Sequence, residues 1–182
     1  PGLKVVYPSS PIDAKGLLIA AINDPNPVIY FEHKALYRSI EGQVPEGYYS
    51  LPFGKANVLK SGSKATVITY GLGVHWMLDL LGKHDLDIDL IDLRTLAPLD
   101  YETIFNSVQK TGRALVVHED NLTGGIGGEI SARITEHCFE YLDAPVMRCA
   151  SLDTPIPFSA QLEWNYLASQ GLLKKINDLL AY

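Results

Sequence analysis

The sequence is poor in cysteine: its 182 residues include only Cys138 and Cys149. Two cysteines cannot form a disulfide framework, and we expect both to be free, buried thiols in a reducing cytosol. No apolar run approaches the roughly 18 residues that a membrane-spanning helix needs. The first residues also lack the pattern of a secretory signal peptide. These absences exclude a disulfide-stabilised scaffold and favour a globular protein with an ordinary apolar core.

Basic residues are also few relative to acidic ones. Fifteen lysines and arginines stand against 21 aspartates and glutamates, which gives a net charge of -6. This balance argues against a protein that binds nucleic acid or an anionic membrane surface. Mild acidity usually serves solubility, but it also leaves room for a basic protein partner.

The histidines are too scattered to form an evident catalytic or metal site. No pair has the spacing of metal ligands, and none stands beside a nucleophile and a third orienting group. His118 is the best single candidate, because residues 118–120 follow a predicted strand at the carboxyl edge of the sheet, where α/β proteins bind ligands. A structural or partner-contacting histidine is the interpretation that we favour.

The two glycine clusters lack the features of a complete phosphate-binding loop. In the first, Gly71 and Gly73 supply G-x-G, but Trp76 occupies the place of the third glycine. In the second, residues 123–129, free amides at a helix start could hold an anion, although Glu129 already supplies negative charge there. We predict that both clusters are tight strand-to-helix connections packed beneath a neighbour.

Strand-like and helix-like segments alternate along the chain, which predicts an α/β fold with a mainly parallel sheet and helices on both faces. The predicted strands are residues 4–7, 28–31, 55–59, 65–70, 88–93, 114–117 and 146–148, and 28–31 is expected to be buried. The predicted helices are residues 11–22, 74–81, 101–110, 128–139 and 171–180. Residues 33–50 lack periodic apolar positions and are predicted to be a linker that crosses the surface.

Three short stretches have specific local features. Ser10 and Pro11 are typical of a helix start. Within residues 90–100, a buried strand turns into a helix through a join that contains Pro98 and ends in Asp100 as the predicted helix cap. At the end of the first helix, backbone carbonyls lie close in sequence to Asp24. Oxygen ligands of this kind suit a hard cation, although an ordinary helix stop is the simpler interpretation.

Taken in order, several strings of this sequence resemble the β subunit of the thiamine-diphosphate-dependent decarboxylase component of 2-oxo acid dehydrogenase complexes. Each string is weak alone, but together they cover nearly the whole chain in the same order. The strings are residues 1–6, 13–18, 27–34, 36–38, 51–56, 92–100, 125–130, 142–146 and 153–157.

The resemblance implies a specific domain organisation. Residues 1–32 would be the end of a pyrimidine-binding domain, 33–50 the linker, and 51–182 a three-layer αβα transketolase C-terminal-like domain. The activating glutamate and the catalytic histidine of the family would lie upstream, so we expect a C-terminal fragment with no catalytic or cofactor-binding residue of its own. Thiamine diphosphate and magnesium would be bound in the intact enzyme, together with an α subunit or α region, and the fragment alone should be inactive.

Two sites carry over by position. The family's structural potassium site would correspond here to the carbonyls of Ala21 and Ile22 and the side chains of Asp24 and Asn26. Asp143 would bind the basic subunit-binding domain of the lipoyl acyltransferase core, which is consistent with the negative net charge. The resemblance also implies a homo-oligomer and a location in the cytoplasm, or in the mitochondrial matrix of a eukaryote.

The substrate class rests on two further strings. Residues 118–125 and 151–155 resemble branched-chain enzymes more than pyruvate enzymes. The alternatives within the enzymes are a pyruvate dehydrogenase β subunit and the C-terminal domain of a transketolase or deoxyxylulose-phosphate synthase. The alternative from another class is a stand-alone flavodoxin-like interaction module.

Overall fold

A computed structural model describes residues 2–182, which form two sheets and the helices around them. The strands of the described part are β1 (Lys4–Val6), β2 (Val28–Tyr30), β3 (Asn57–Lys60), β4 (Ala65–Thr69), β5 (Ile88–Asp92), β6 (Thr95–Ala97), β7 (Ala114–Asn121) and β8 (Met147–Ser151). The helices are α1 (Pro11–Asn23), α2 (Leu36–Ser39), α3 (Leu72–Leu81), α4 (Tyr101–Thr111), α5 (Gly127–Cys138), α6 (Ala160–Tyr166) and α7 (Leu172–Leu180). Over residues 2–182, no helix combines the length and the apolar character needed to cross a bilayer.

The larger sheet has the strand order β3-β5-β4-β7-β8. Its last four strands are parallel, and β3 lies antiparallel at the edge beside β5. Every residue of β4 and β5 is buried, which fits strands covered on both faces. The prediction of a mainly parallel sheet is therefore confirmed. The turn after β3 does not form a hairpin, because β5 lies between β3 and β4 in the sheet.

Helices cover both faces of the larger sheet. On one face, α3 and α7 pack against strand side chains such as Val67 and Leu115. On the other face, α4 and α5 pack against alternate strand residues such as Ile68 and Val116. Because successive strand residues point to opposite faces, each strand contributes to both halves of the core. The predicted three-layer αβα arrangement is confirmed.

The smaller sheet has the order β2-β1-β6, with β1 and β2 parallel and β6 antiparallel to β1. β6 was not predicted, because Thr95–Ala97 lies inside the join between β5 and α4. The chain reverses at Arg94, which has a left-handed backbone (φ 59°). The short segment between β5 and β6 therefore connects the two sheets, since β5 belongs to the larger sheet and β6 to the smaller one. We call the region where the two sheets meet around this segment the seam.

The prediction that residues 28–31 are buried is wrong. Ile29 is 39% exposed and Phe31 is 49% exposed. β2 pairs only with β1 in the described part of the chain, so it is an edge strand with one uncovered side. An apolar run of three or four residues predicts a strand, but it cannot tell a central strand from an edge strand.

The predicted helix starts are confirmed. The Ser10 hydroxyl accepts a hydrogen bond from the Asp13 amide at 3.2 Å, and the Asp100 carboxylate accepts one from the Thr103 amide at 3.2 Å.

Two helices of the structure, α2 and α6, were not predicted from the sequence. α2 lies within the otherwise irregular residues 33–50, and α6 exposes its apolar side chains Leu162 and Trp164, so no amphipathic pattern marks it.

Candidate functional site

A buried polar cluster joins the two sheets at the seam. The Arg94 guanidinium contacts the Asp13 carboxylate of α1, with 2.8 Å between Nη2 and Oδ1. Asp13 is only 3% exposed, so the Arg94 guanidinium compensates a carboxylate that has little contact with water. The seam is held further by the Arg94 carbonyl, which accepts the Tyr7 amide at 2.8 Å. Arg94 therefore connects the end of β1, the start of α1 and the turn into β6.

Asp92 lies at the centre of the same cluster and is fully buried. Its carboxylate accepts hydrogen bonds from the Ser9 hydroxyl and from the Arg94 amide, the latter at 3.0 Å. Burial outweighs these hydrogen bonds and raises the pKa of Asp92 to about 6. His75 completes the cluster, because its Nε2 lies 2.7 Å from the Ser9 carbonyl. The cluster is enclosed, and it fits a structural role better than a reaction centre.

His118 is completely buried beneath the second glycine cluster. Its Nδ1 lies 3.1 Å from the Asp120 carbonyl, which must accept, so Nδ1 carries the proton. Nε2 is then an acceptor, and no hydrogen-bond donor reaches it. Burial holds the pKa of His118 below its usual range. A neutral imidazole in this position supports the structural interpretation that we favour.

Both glycine clusters are tight connections. A Cβ on Gly71, which has φ 54°, would lie 2.8 Å from the Tyr7 ring, and one on Gly127 would lie 2.5 Å from Nε2 of His118. The acceptor atom Nε2 and the acidic residue Glu129 both face the start of α5, and both oppose an anion there. The geometry agrees with the prediction of close packing.

The four residues of the predicted potassium site lie at the end of α1, and the oxygens of Ala21 and Asp24 already have partners. The Ala21 carbonyl accepts the Asp24 amide at 3.4 Å, and Oδ1 of Asp24 accepts the Asn26 amide at 2.9 Å. The other carboxylate oxygen contacts the Lys4 ammonium, and this hydrogen bond is the main reason why the pKa of Asp24 is lowered. A potassium ion at the Asp24 carboxylate would have to displace the Lys4 ammonium, and the potassium site stays a prediction.

Within residues 2–182, no group of three or more histidine, cysteine, aspartate or glutamate side chains is arranged to hold a metal ion.

Asp143 lies on the surface, and its side chain is 64% exposed. Its amide donates to the Gly112 carbonyl at 2.8 Å, and Oδ2 lies 3.6 Å from the Arg113 guanidinium. Gly112 and Arg113 precede β7, and Asp143 precedes β8. The carboxylate is therefore presented to solvent at the amino edge of the parallel strands, where a basic partner can reach it.

The structure has a cavity at the carboxyl edge of the parallel strands, opposite to the edge where Asp143 lies, and the sequence did not predict it. It has a volume of about 540 Å³, and its walls include Tyr7, Phe31 and Tyr70 together with Glu119 and Asp120. The available signal was positional, because each of these residues stands at or just after the end of β1, β2, β4 or β7. Their types, aromatic and acidic, match no short motif.

Two protein families match the chain. Residues 54–171 match the family described as "Transketolase, C-terminal domain", and residues 1–39 match the "Transketolase, pyrimidine binding domain". Among solved structures, a "Split gene transketolase, inactive beta4 tetramer" has a similar fold, with a TM-score of 0.78 at 22% identity. That alignment covers 100% of this chain and 58% of the other.

Curated relatives are more similar in sequence. The 2-oxoisovalerate dehydrogenase subunit beta of Bacillus subtilis (strain 168) is 48% identical over 93% of this chain and 53% of its own length. The pyruvate dehydrogenase E1 component subunit beta of the same organism is 48% identical over 90% of this chain and 52% of its own length. The acetoin:2,6-dichlorophenolindophenol oxidoreductase subunit beta of Cupriavidus necator is 47% identical over 93% of this chain and 51% of its own length.

The chain spans about half the length of these relatives. Its homologues include the β subunits of both branched-chain and pyruvate dehydrogenases, so the resemblance is confirmed for 2-oxo acid dehydrogenases in general. The match over residues 54–171 covers more than half of the 182 residues, and the fold agrees with it. The chain belongs to the transketolase C-terminal domain family, and a fragment that matches the transketolase pyrimidine-binding domain precedes that domain.

Proposed function

We propose that this chain is the C-terminal part of the β subunit of a branched-chain 2-oxo acid dehydrogenase. The observation that carries the proposal is its 48% identity, over 93% of the chain, to a 2-oxoisovalerate dehydrogenase subunit beta. Thiamine diphosphate, held with magnesium by other parts of the enzyme, would supply the electron sink for decarboxylation. The residues of this chain would assemble the enzyme with its α subunit, form the homo-oligomer and dock the acyltransferase core.

The branched-chain assignment is supported by the two strings at residues 118–125 and 151–155, which form one loop cluster. The Thr123 amide and hydroxyl both donate to the Asp153 carboxylate, at 2.8 and 2.7 Å. The Asn121 side chain donates to the Thr154 carbonyl at 3.2 Å. These contacts join the two segments to each other. The two segments that resemble branched-chain enzymes therefore form one structural feature at the carboxyl edge of the sheet.

A pyruvate dehydrogenase β subunit is the second candidate, because a relative of that name is equally similar. The test is to reconstitute the intact β subunit that contains this chain with its α subunit and cofactors. We expect kcat/KM for 2-oxoisovalerate to exceed that for pyruvate by about tenfold, the usual worth of one or two methyl groups in an apolar pocket. A ratio in favour of pyruvate would overturn the branched-chain assignment. The 182-residue chain alone, as the control, should show no turnover.

We also propose that Asp143 anchors the subunit-binding domain of the acyltransferase core. Replacing Asp143 with alanine in the intact enzyme should weaken that interaction about tenfold, the loss expected for one anchoring charge. Titration calorimetry measures it. Asp178→Ala is the matched control, because Asp178 is another exposed aspartate paired with a basic residue, Lys174, at 2.6 Å. Equal affinities for the wild type and the Asp143 variant would remove this residue from the docking surface.

A further inference from the structure

We propose that the cavity at the carboxyl edge of the sheets, with the apolar rim beside it, is a docking site for a basic segment of another polypeptide. An arginine or lysine side chain of that segment would enter the cavity. The cavity has a volume of about 540 Å³, which is ample for such a side chain. This proposal does not rest on the dehydrogenase assignment, because its argument uses only the walls, the charge and the rim of the cavity.

Aromatic rings form one wall. The centroid of the Tyr7 ring lies 5.4 Å from that of Tyr70 and 5.8 Å from that of Phe31. The rings come from both sheets, since Tyr7 and Phe31 follow strands of the smaller sheet and Tyr70 follows β4. The faces of aromatic rings attract cations, and they also pack against the apolar stem of a lysine or arginine. This wall suits a side chain that is apolar along its length and charged at its end.

The charge of the cavity is negative. Its lining includes the carboxylates of Glu119, Asp120 and Glu163, but no lysine or arginine. Glu119 has a partner, because Nε2 of His33 lies 3.1 Å from its Oε2. Among the described residues, Asp120 and Glu163 form no ion pair with a basic side chain. Two carboxylates are therefore available for an incoming guanidinium or ammonium group.

The charge of Glu119 also acts on the aromatic wall of the cavity. Burial, and secondarily the charge of Glu119, raise the pKa of Tyr7 to about 12. An anionic ligand would meet the same carboxylates and would be repelled. The cavity therefore favours a cation on electrostatic grounds as well as by its aromatic wall.

The rim of the cavity favours a polypeptide over a small molecule. Ile156 is part of the lining, and near it in the chain are Phe158, Leu162 and Trp164, all with largely exposed side chains. Phe158 lies two residues from the lining residue Ile156, and Leu162 and Trp164 flank the lining residue Glu163 in the chain. Several exposed apolar side chains close to a pocket are typical of a protein interface. A ligand small enough for the cavity would leave this rim in water, whereas a peptide with apolar residues around its basic residue would cover both.

The site is separate from Asp143. Glu119 and Asp120 lie in β7 near its carboxyl end, and Tyr70 directly follows β4. Asp143 instead lies beside Gly112, before β7 begins. The two surfaces are at opposite ends of the parallel strands, so one partner can occupy either without blocking the other.

The test compares two synthetic peptides that differ only in charge. One has the sequence acetyl-Leu-Arg-Leu-Trp-amide, and in the other citrulline, an uncharged analogue of the same shape, replaces arginine. We expect the arginine peptide to bind the protein about tenfold more tightly, measured by NMR titration. Asp120→Asn combined with Glu163→Gln should abolish this preference, whereas Glu140→Gln, an exposed glutamate near the amino edge, should leave it unchanged.

The rim is tested separately. Phe158→Ser changes a side chain that is fully exposed, so the fold should tolerate it, and it should weaken both peptides equally. Phe139→Ser, on an exposed phenylalanine outside the cavity, should have no effect. Equal binding of the arginine and citrulline peptides would overturn the proposal. So would binding of benzyltrimethylammonium as tight as that of the arginine peptide with no effect of Phe158→Ser, because the site would then suit a small organic cation.

Discussion

Replacing Arg94 with methionine is expected to lower the free energy of unfolding by about 3 kcal/mol, the lower end of the range for breaking a buried ion pair. Asp13, its partner at 2.8 Å, would keep a buried charge without compensation. Methionine retains most of the volume of the arginine stem, so the cavity effect is small. Both residues carry a Cβ, so the left-handed backbone at this position costs the same in each. Urea denaturation at neutral pH measures the difference.

Two further variants separate charge from packing at this position. Arg133→Met removes a weak pair, with Glu136 at 3.8 Å, and the contact of the guanidinium with the Tyr101 ring at 4.9 Å, and it should cost no more than about 1 kcal/mol. Adding Asp13→Asn to Arg94→Met removes the uncompensated charge and should restore a large part of the lost stability. If Arg94→Met costs as little as Arg133→Met, water screens the seam pair, and Arg94 is not what holds the sheets together.

The parts of the fold that the sequence predicts well are those that short-range patterns determine. Strand β4 is an uninterrupted run of apolar and β-branched residues, and β5 is an apolar run interrupted only by Asp89 and Asp92, because both faces of each strand are covered. The helix starts at Ser10 and Asp100 are set by side chains that bond an amide three residues later. These signals act within a few residues, so their meaning does not depend on the rest of the chain.

The parts that were missed depend on distant segments. β6 is a strand only because it pairs with β1, which lies about 90 residues earlier. Likewise, β2 is half exposed because it is the edge strand of the smaller sheet. The residues of β2 do not by themselves indicate that position. Strand pairing is a tertiary property, and residue pattern alone cannot supply it.

In the candidate sites, too, nearby residues determine some features and distant segments of the chain determine others. Asp24 lies at the end of α1, as its local sequence predicts, but the Lys4 ammonium that contacts its carboxylate comes from β1, 20 residues away. The acidic and aromatic cavity collects residues from the ends of β1, β2, β4 and β7 and from α6. Each residue has an ordinary local role, and only the topology brings the rings and carboxylates together.

A second large effect is expected from pH, through Asp92. Its pKa is about 6 in the folded protein, above the ordinary value of 3.8, because burial disfavours the carboxylate. Below about pH 3 both states are largely protonated at this residue. As the pH rises towards 7, the unfolded state ionises first, so the free energy of unfolding falls by about 3 kcal/mol on account of Asp92. Asp92→Asn removes this loss, and the stability difference between variant and wild type should grow by about 2 kcal/mol from pH 4 to pH 7, because part of the loss has already occurred at pH 4.

Asp89 is the control, because it is another buried aspartate of β5 whose pKa shifts the other way. Burial would raise its pKa, but hydrogen bonds from Lys110, Ser107 and the Gly62 amide outweigh burial and lower it. A lowered folded pKa adds stability above the unfolded pKa, so Asp89→Asn should become more destabilising as the pH rises. Urea denaturation at pH 4 and pH 7 should therefore give opposite trends for the two variants. Parallel trends would mean that Asp92 is charged and well compensated in the folded protein, and the seam would then hold a stable network of charges in place of a buried acid.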